Sequence, residues 1–220
     1  MKLLTEFEAK KILSKYGIKI TEGSIAGSAD EAFDIALKIH TNVAMKISSP
    51  DISHKSDVGG VVLNVQLEDV RTAYDDMITR IRKAVPTAKI EGVLIQRMAP
   101  PGHEVIVGLK KDTQFGHALM FGLGGIFVEV YKDVSFRVAP IEKREALAMI
   151  SEIKGYPILM GIRGRKPADI GSIADVLVLV SEFAEKEKII EFDINPLIVN
   201  ESGAVAVDAR AMVEDQDSKE

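Results

Sequence analysis

Five stretches of this chain have residue types and spacings that can do chemistry. The first is "SSPDISHKSDVGGVV" (residues 48–62), where His54 stands in a Ser/Asp-rich loop just before Gly59 and Gly60. A turn of this composition uses its serines, aspartates and glycines for backbone geometry. Nothing in that geometry calls for an imidazole, so His54 needs another explanation. The second is the C-terminal stretch "EFDINPLIVNESGAVAVDARA", which reads as two strands joined at "NESG". If that hairpin sets Val199 opposite Ala204, the same register sets Asn195 opposite Asp208 and Asp193 opposite Arg210, all on one side, because strand side chains alternate. Directly opposed Cβ atoms lie about 4.5–5.5 Å apart. An amide oxygen and a carboxylate at that spacing can share one hard cation, and a site with few protein oxygens suits Mg²⁺ carried by phosphates. The same pattern also describes a polar hairpin face with a simple Asp–Arg pair, and Pro196 can introduce a bulge that shifts the register.

Lys46 is the third candidate: in "VAMKIS" it interrupts an apolar strand, as a phosphate-contacting charge or as a lysine on the solvent face of an edge strand. The fourth is "FGLGGIFVEV", where Gly122, Gly124 and Gly125 allow close backbone approach to an anion and Glu129 follows. It is not a dinucleotide fingerprint, and an ordinary glycine turn between strands would read the same. The fifth is "IQRMAPPGHE", whose extended Gln96, Arg97 and Met98 can offer backbone groups to an adenine edge, with Glu104 placed to accept from ribose hydroxyls. His40, His103 and His117 have no metal-site spacing to one another, and no nucleophile elbow is visible. Arg137 and the basic loop at 161–169, with Arg163, read as anion contacts or as solvated side chains.

The elements that must position these residues follow from periodicity. "TEFEAKKILSKYG" has a capping box in Thr5 and Glu8 and a stop at Gly17; "SADEAFDIALKIH" repeats the device with Ser28 and Glu31. Strands are predicted at 43–48, 60–66 and 91–98, with a helix between the last two whose face is Val70, Ala73, Met77, Ile81 and Ala84. After "APPG" comes a run of strands, "HEVIVGLKK", "HALMFGL", "IFVEVYKD" and "VSFRVA", then helices at 142–153 and 168–187 and the final hairpin. The prediction is an α+β chain of two lobes, 1–96 and 97–213, hinged near 97–102, with the 214–220 tail frayed.

Composition sets the outer bounds. A chain of 220 residues with 46% hydrophobic and 28% charged residues can bury a sizeable core, and its net charge of −5 gives no pull towards nucleic acid or anionic membrane. There are no cysteines, no signal-peptide pattern and no run approaching about 18 uncharged apolar residues, so a cytoplasmic protein is expected.

Taken in order, "AMKISSPDISHKSDVGGV", "EGVLIQRM", "GHEVIVGLKKD", "FGLGGIFVEVYKDVSFRVAPI", "GIRGRKPADI" and "EFDINPLIVNESGAVAVDARA" resemble the ATP-grasp (beta) subunit of ADP-forming acetyl-CoA synthetase, of the nucleoside-diphosphate-forming acyl-CoA synthetase family that includes succinyl-CoA synthetase. The resemblance runs from about residue 3 to 213. It implies an ATP-grasp fold with nucleotide in the cleft between two lobes, and the reversible conversion of acyl-CoA, ADP and phosphate to acid, CoA and ATP. It also implies Mg²⁺, ADP or ATP as substrate, and a CoA-binding alpha subunit carrying a phosphohistidine, in an α2β2 heterotetramer. By the same resemblance His54 is the phosphoryl carrier, with Gly59 and Gly60 letting its loop swing, and Asp193 contacts the partner's phosphohistidine. Lys46 binds phosphate, Asn195 and Asp208 bind the metal, and Glu104 falls at a ribose contact. The chain departs from the family pattern in having His117 where proline is expected. An ATP-grasp carboxylate–amine ligase and a non-catalytic nucleotide-binding subunit remain as alternatives; the first gives His54 no task, and the second would tolerate loss of Lys46 or Asp208.

Overall fold

The computed structural model describes residues 1–52, 54–125, 132–162, 164 and 166–214. They form β1 (Lys2–Leu4), α1 (Glu6–Lys15), β2 (Gly23–Ala26), α2 (Ala29–Ile39), β3 (Val43–Ser48), β4 (Val61–Val65), α3 (Val70–Ala84), β5 (Gly92–Arg97), β6 (His103–Asp112), β7 (Gly116–Leu123), β8 (Val134–Ala139), α4 (Lys143–Glu152), α5 (Tyr156–Leu159), α6 (Ile170–Lys186), β9 (Ile189–Asn200), β10 (Gly203–Ala206) and β11 (Ala209–Val213). The chain divides into two compact units, residues 21–99 and residues 1–20 with 100–220.

The smaller unit is a four-stranded antiparallel sheet in the order β2-β5-β3-β4. Its α2 and α3 cover one face, and Val43, Met45, Ile47, Val93 and Ile95 meet Ala36, Met77 and Ile81 there. Ser28 caps α2 as the sequence predicts, accepting from the Glu31 N–H at 3.2 Å. The Glu31 carboxylate, however, accepts from the Gly27 N–H at 2.7 Å, so the box closes one residue earlier than expected. On α3 the buried stripe is Val70, Tyr74, Met77 and Ile81; Tyr74 takes the inward place, and Ala84 is exposed at the helix end.

The larger unit is a seven-stranded antiparallel sheet ordered β1-β11-β9-β6-β7-β8, with β10 continuing beside the far half of β9. The long α6 lays Ile173, Leu177, Val180 and Phe183 into one core with Val105, Val107, Leu119, Phe121, Phe192 and Ile194, and the 3.6-residue spacing of its apolar side chains makes that possible. Here the division of the chain differs from the expected lobe of residues 1–96. Residues 1–20 belong to the larger unit because β1 pairs with β11, α1 buries Ala9 and Leu13 in its core, and Ile20 bridges Ala206. The capping box on α1 is complete, with the Thr5 N–H donating to Glu8 at 2.8 Å. The strand expected at "IFVEVYKD" falls on residues 126–131, outside the described residues, as does the frayed tail beyond 214. Among the described residues no helix is long and apolar enough to cross a membrane.

Candidate functional site

Lys46 lies on β3, which has β5 on one side and β4 on the other, so the edge-strand reading does not hold. The odd-numbered residues Val43, Met45 and Ile47 face the helices, which sends Lys46 to the opposite face with Ala44 and Ser48. The lysine is only 5% exposed. A lysine is seldom held so deep without a polar or anionic partner, because burial penalises its charge. Gln96 on β5 stands opposite Ala44 and is likewise buried, with its amide oxygen accepting from the Thr21 hydroxyl at 3.2 Å. Arg97 follows, held to Glu22 by its backbone N–H at 2.8 Å and by its guanidinium at 3.2 Å; Met98 lies just past the strand end, half-buried.

The His54 loop joins β3 to β4. Before it, the Asp51 carboxylate accepts from the Lys89 N–H at 2.7 Å and Ile52 is buried in the unit's core. After it, a single 3-10 turn (Ser56–Val58) ends in two hydrogen bonds, Gly60 N–H to the Lys55 carbonyl at 2.7 Å and Gly59 N–H to the Ser56 carbonyl at 3.1 Å. With Gly59 left-handed at φ 68°, this is the Schellman arrangement that closes helix ends. The carbonyl of His54 itself accepts from the Asp57 N–H at 3.3 Å, so the histidine heads the turn while its side chain is exposed. Gly59 and Gly60 therefore lock a turn in place in this structure; they are not slack residues. Gly60 is buried, and a Cβ there would come within 2.5 Å of Ile47 Cγ2.

In the larger unit the C-terminal register is the one expected. Asn200 pairs with Gly203 and Val199 with Ala204 around a two-residue turn; Ile194 pairs with Ala209 and Asp193 with Arg210. Between these paired segments the Asn195 N–H donates to the Asp208 carbonyl at 3.1 Å. Pro196, whose bond to Asn195 is cis, does disturb a register, but on the other flank: against β6 the pairing shifts between Val105 and Val107, so Ile106 faces two residues of β9. Asp193, half-buried, pairs with Arg210 on one side and Gly108 on the other. Asn195 is exposed and Asp208 half-buried. Their amide and carboxylate oxygens are hard donors that fit Mg²⁺. No cluster of three or more His, Cys, Asp or Glu that could hold a metal occurs among the described residues, so a cation here would depend on phosphate oxygens and water for its remaining ligands.

Glu104 is exposed on β6, and its carbonyl accepts from the Gly124 N–H at 2.8 Å. A Cβ on Gly124 would stand 3.1 Å from the Glu104 Cβ, and Gly125 has φ 63°, so the glycine turn after β7 lies directly along Glu104. Glu129 and Arg163 lie outside the described residues. Arg137 makes a two-pronged pair with Glu152, one bond at 2.9 Å, and is a structural residue. His117, in place of the expected proline, is buried on β7 with Nε2 2.8 Å from the Ile189 carbonyl; a carbonyl only accepts, so that nitrogen carries the hydrogen. His103 likewise meets the Lys166 carbonyl at 2.9 Å. An open hollow of about 340 Å³ at the end of α2, lined by His40, Asn42, Gln66 and Glu68 among others, contains none of the candidate residues. The sequence reading missed Arg80, an exposed residue of α3 whose Nη1 donates to the Gly59 carbonyl at 2.9 Å. No local pattern marks it, because its partner is distant in the chain.

Comparison with known proteins supplies a framework for this geometry. The ATP-grasp domain family matches residues 1–213. The chain is 52% identical over 212 residues to the acetate–CoA ligase (ADP-forming) I subunit beta of Pyrococcus furiosus, covering 96% of this chain and 91% of that one. It is 49% identical over 207 residues to the acetate–CoA ligase (ADP-forming) I of Archaeoglobus fulgidus, covering 94% of this chain but only 30% of that longer protein. Among solved structures it superposes, with a TM-score of 0.94 and 47% identity over 97% of this chain and 94% of the other, on the dinucleotide-forming acetyl-coenzyme A synthetase 1 of Ca. Korarchaeum cryptofilum in complex with coenzyme A and Ca-AMPCP. A second structure of that protein holds coenzyme A and Mg-AMPPCP with its phosphohistidine segment pointing towards the nucleotide binding site (TM-score 0.84, 44% identity, 97% and 93% covered).

Proposed function

Because the chain belongs to the ATP-grasp family, among the beta subunits of ADP-forming acetate–CoA ligases, we propose that it is the nucleotide-binding subunit of an ADP-forming acyl-CoA synthetase, the acetyl-CoA enzyme above all, and that it passes a phosphoryl group to ADP through His54. The overall reaction is acyl-CoA, ADP and phosphate to carboxylic acid, CoA and ATP. The observation that carries the reading is the exposed imidazole of His54, presented at the head of a closed turn directly after the strand that buries Lys46.

In this reading a CoA-binding alpha subunit, in an α2β2 assembly in the cytoplasm, makes the acyl phosphate and holds the phosphoryl group first on its own histidine. A ring nitrogen of neutral His54 attacks that phosphorus; the new N–P bond forms as the partner's N–P bond breaks. The terminal oxygen of ADP then attacks phospho-His54, giving ATP and restoring the neutral ring. Phosphoryl transfer asks a protein chiefly for position and compensating charge. Lys46 supplies a fixed positive charge; Gln96, Arg97 and Met98 offer edge groups to the base, and Glu104 accepts from the ribose. Asn195 and Asp208 would hold Mg²⁺, which when bound spreads the charge of the phosphates. Asp193, opposite Arg210 on the C-terminal ribbon, orients the partner's histidine when the subunits dock.

The test uses the chain purified with its cognate CoA-binding partner. The complex is expected to make ATP from acetyl-CoA, ADP and phosphate, and the chain alone to make none. With His54→Ala or His54→Asn the partner's histidine is still labelled from acetyl phosphate, while ATP formation is lost. On the wild-type chain the label is acid-labile and base-stable, as a phosphoramidate is. Normal ATP synthesis by His54→Ala, or equal turnover by the chain alone, would overturn the reading.

A further inference from the structure

The turn that carries His54 is closed mainly on itself. Three of its carbonyls, those of His54, Lys55 and Ser56, accept from N–H groups within the same seven residues. Such a body is suited to move as one piece, and the question is what fastens it. Upstream it is held by the buried Ile52, downstream by the Ile47 N–H on the Gly60 carbonyl at 2.8 Å, where β4 begins. A long side chain of α3 also fastens the turn: Arg80, with Nη1 2.9 Å from the Gly59 carbonyl. The Arg80 stem lies flat on that residue: a Cβ at Gly59 would come within 2.6 Å of Arg80 Cδ and 3.0 Å of Nη1. Glycine at 59 thus serves the left-handed backbone and this contact together.

We propose that Arg80 is the latch of the His54 turn, a positioning residue that holds the Gly59 carbonyl against α3 and must release it before the turn can present His54 elsewhere. The proposal rests on the reading of His54 as a phosphoryl carrier. A carrier has to serve two places. Two residues beyond an anchored Ile52, His54 cannot carry its Cα more than about 7 Å from that anchor. While Arg80 also holds Gly59, the turn serves one place only. Of the turn's fastenings the Arg80 bond is the one suited to open, because Arg80 is exposed and its bond to a carbonyl competes with water, whereas Ile52 and Gly60 are buried. Position 59 carries no side chain of its own to resist the departure.

The latch is tested first without catalysis, by tryptic cleavage after Lys55, whose carbonyl is part of the closed turn. Cleavage of a transiently open segment tracks its open population. Arg80→Ala should speed cleavage after Lys55 about three- to tenfold, Arg80→Lys should restore most of the protection, and cleavage after Lys83 on the same helix should not change. In the complex with the partner, single-turnover labelling of His54 should be faster in Arg80→Ala, with the KM for ADP unaltered. Unchanged cleavage after Lys55, or a parallel rise at Lys83, overturns the latch whatever the catalytic data show. A rise confined to Lys55 supports it, and that result would stand even if His54→Ala retained ATP synthesis and the carrier reading fell.

Discussion

Asn195 and Asp208 face each other across the C-terminal ribbon, tied by the Asn195 N–H to the Asp208 carbonyl at 3.1 Å, at the point where β9 bulges away from β6. The bond is between backbones; on the proposed reading the Asn195 amide oxygen and the Asp208 carboxylate hold Mg²⁺ together. Asp208→Ala should weaken ADP binding at least tenfold in the presence of Mg²⁺, and chelator should weaken the wild type similarly while adding little to the variant. Calorimetry with and without divalent metal measures both. Identical ADP binding in all four conditions would take the metal away from this pair.

Lys46 is buried on an interior strand, so its charge is costly to hold and effective when used. Lys46→Met keeps the length of the side chain and removes the charge. A charged hydrogen bond contributes about 1.5–3 kcal/mol, so ADP affinity should fall by roughly one to two powers of ten. A variant that unfolds readily but binds ADP normally would mark Lys46 as a structural residue.

His117 predicts a stability effect. His117→Phe fills the space but leaves the Ile189 carbonyl one donor short, at a cost of about 1–3 kcal/mol. Urea denaturation should show the loss, and ADP binding should be unaffected, since neither β7 at that end nor Ile189 belongs to the candidate site.

The fourth prediction concerns acid. Glu187 takes the Tyr16 hydroxyl at 2.7 Å and the Lys15 ammonium on the same oxygen; the Lys15 hydrogen bond above all, helped by that of Tyr16, holds its carboxyl below the usual carboxylate range against the opposing effect of burial. A carboxyl with a depressed folded-state pKa contributes its stability above the unfolded value of 4.5 and loses it as pH falls through the folded value. Denaturation midpoints followed downward from pH 6 should therefore fall below about pH 4.5, and Glu187→Gln should flatten that slope. An unchanged slope would mean that other carboxylates carry the acid sensitivity.

Much of this molecule could be read from local pattern. The α1 capping box, the β3 strand around Lys46 and the register from Asn200 back to Asp193 all depend on neighbours in sequence or on one tight turn, and they appear in the structure as expected. What was hidden depends on distant partners. That β3 is an interior strand follows from β5 arriving beside it some fifty residues later, which no window around Lys46 contains. Arg80 looked like any solvated arginine on α3 until its contact with Gly59 was visible. The pair of glycines read as slack because glycine is permissive in general; in place, its freedom is used to close a turn. Continuity in sequence puts residues 1–20 with the smaller unit, and only the pairing of β1 with β11 places them in the other one.

That pairing has a consequence for the order in which the chain can be built. The smaller unit is continuous, residues 21–99, and has all its strands as soon as its last residue is made. In the larger unit β1 precedes residues 21–99 and its neighbour β11 follows them, Lys2 beside Val213. During synthesis β1 emerges before the smaller unit, yet its partner strand is made only after it, and α1 meanwhile keeps Ala9 and Leu13 without their eventual core. Closing so long a loop costs little more entropy than closing a shorter one, because the cost grows only with the logarithm of length. Timing is the greater burden. The larger unit stays open at one margin while the chain between Lys2 and Val213 is made, and that margin shuts with β11.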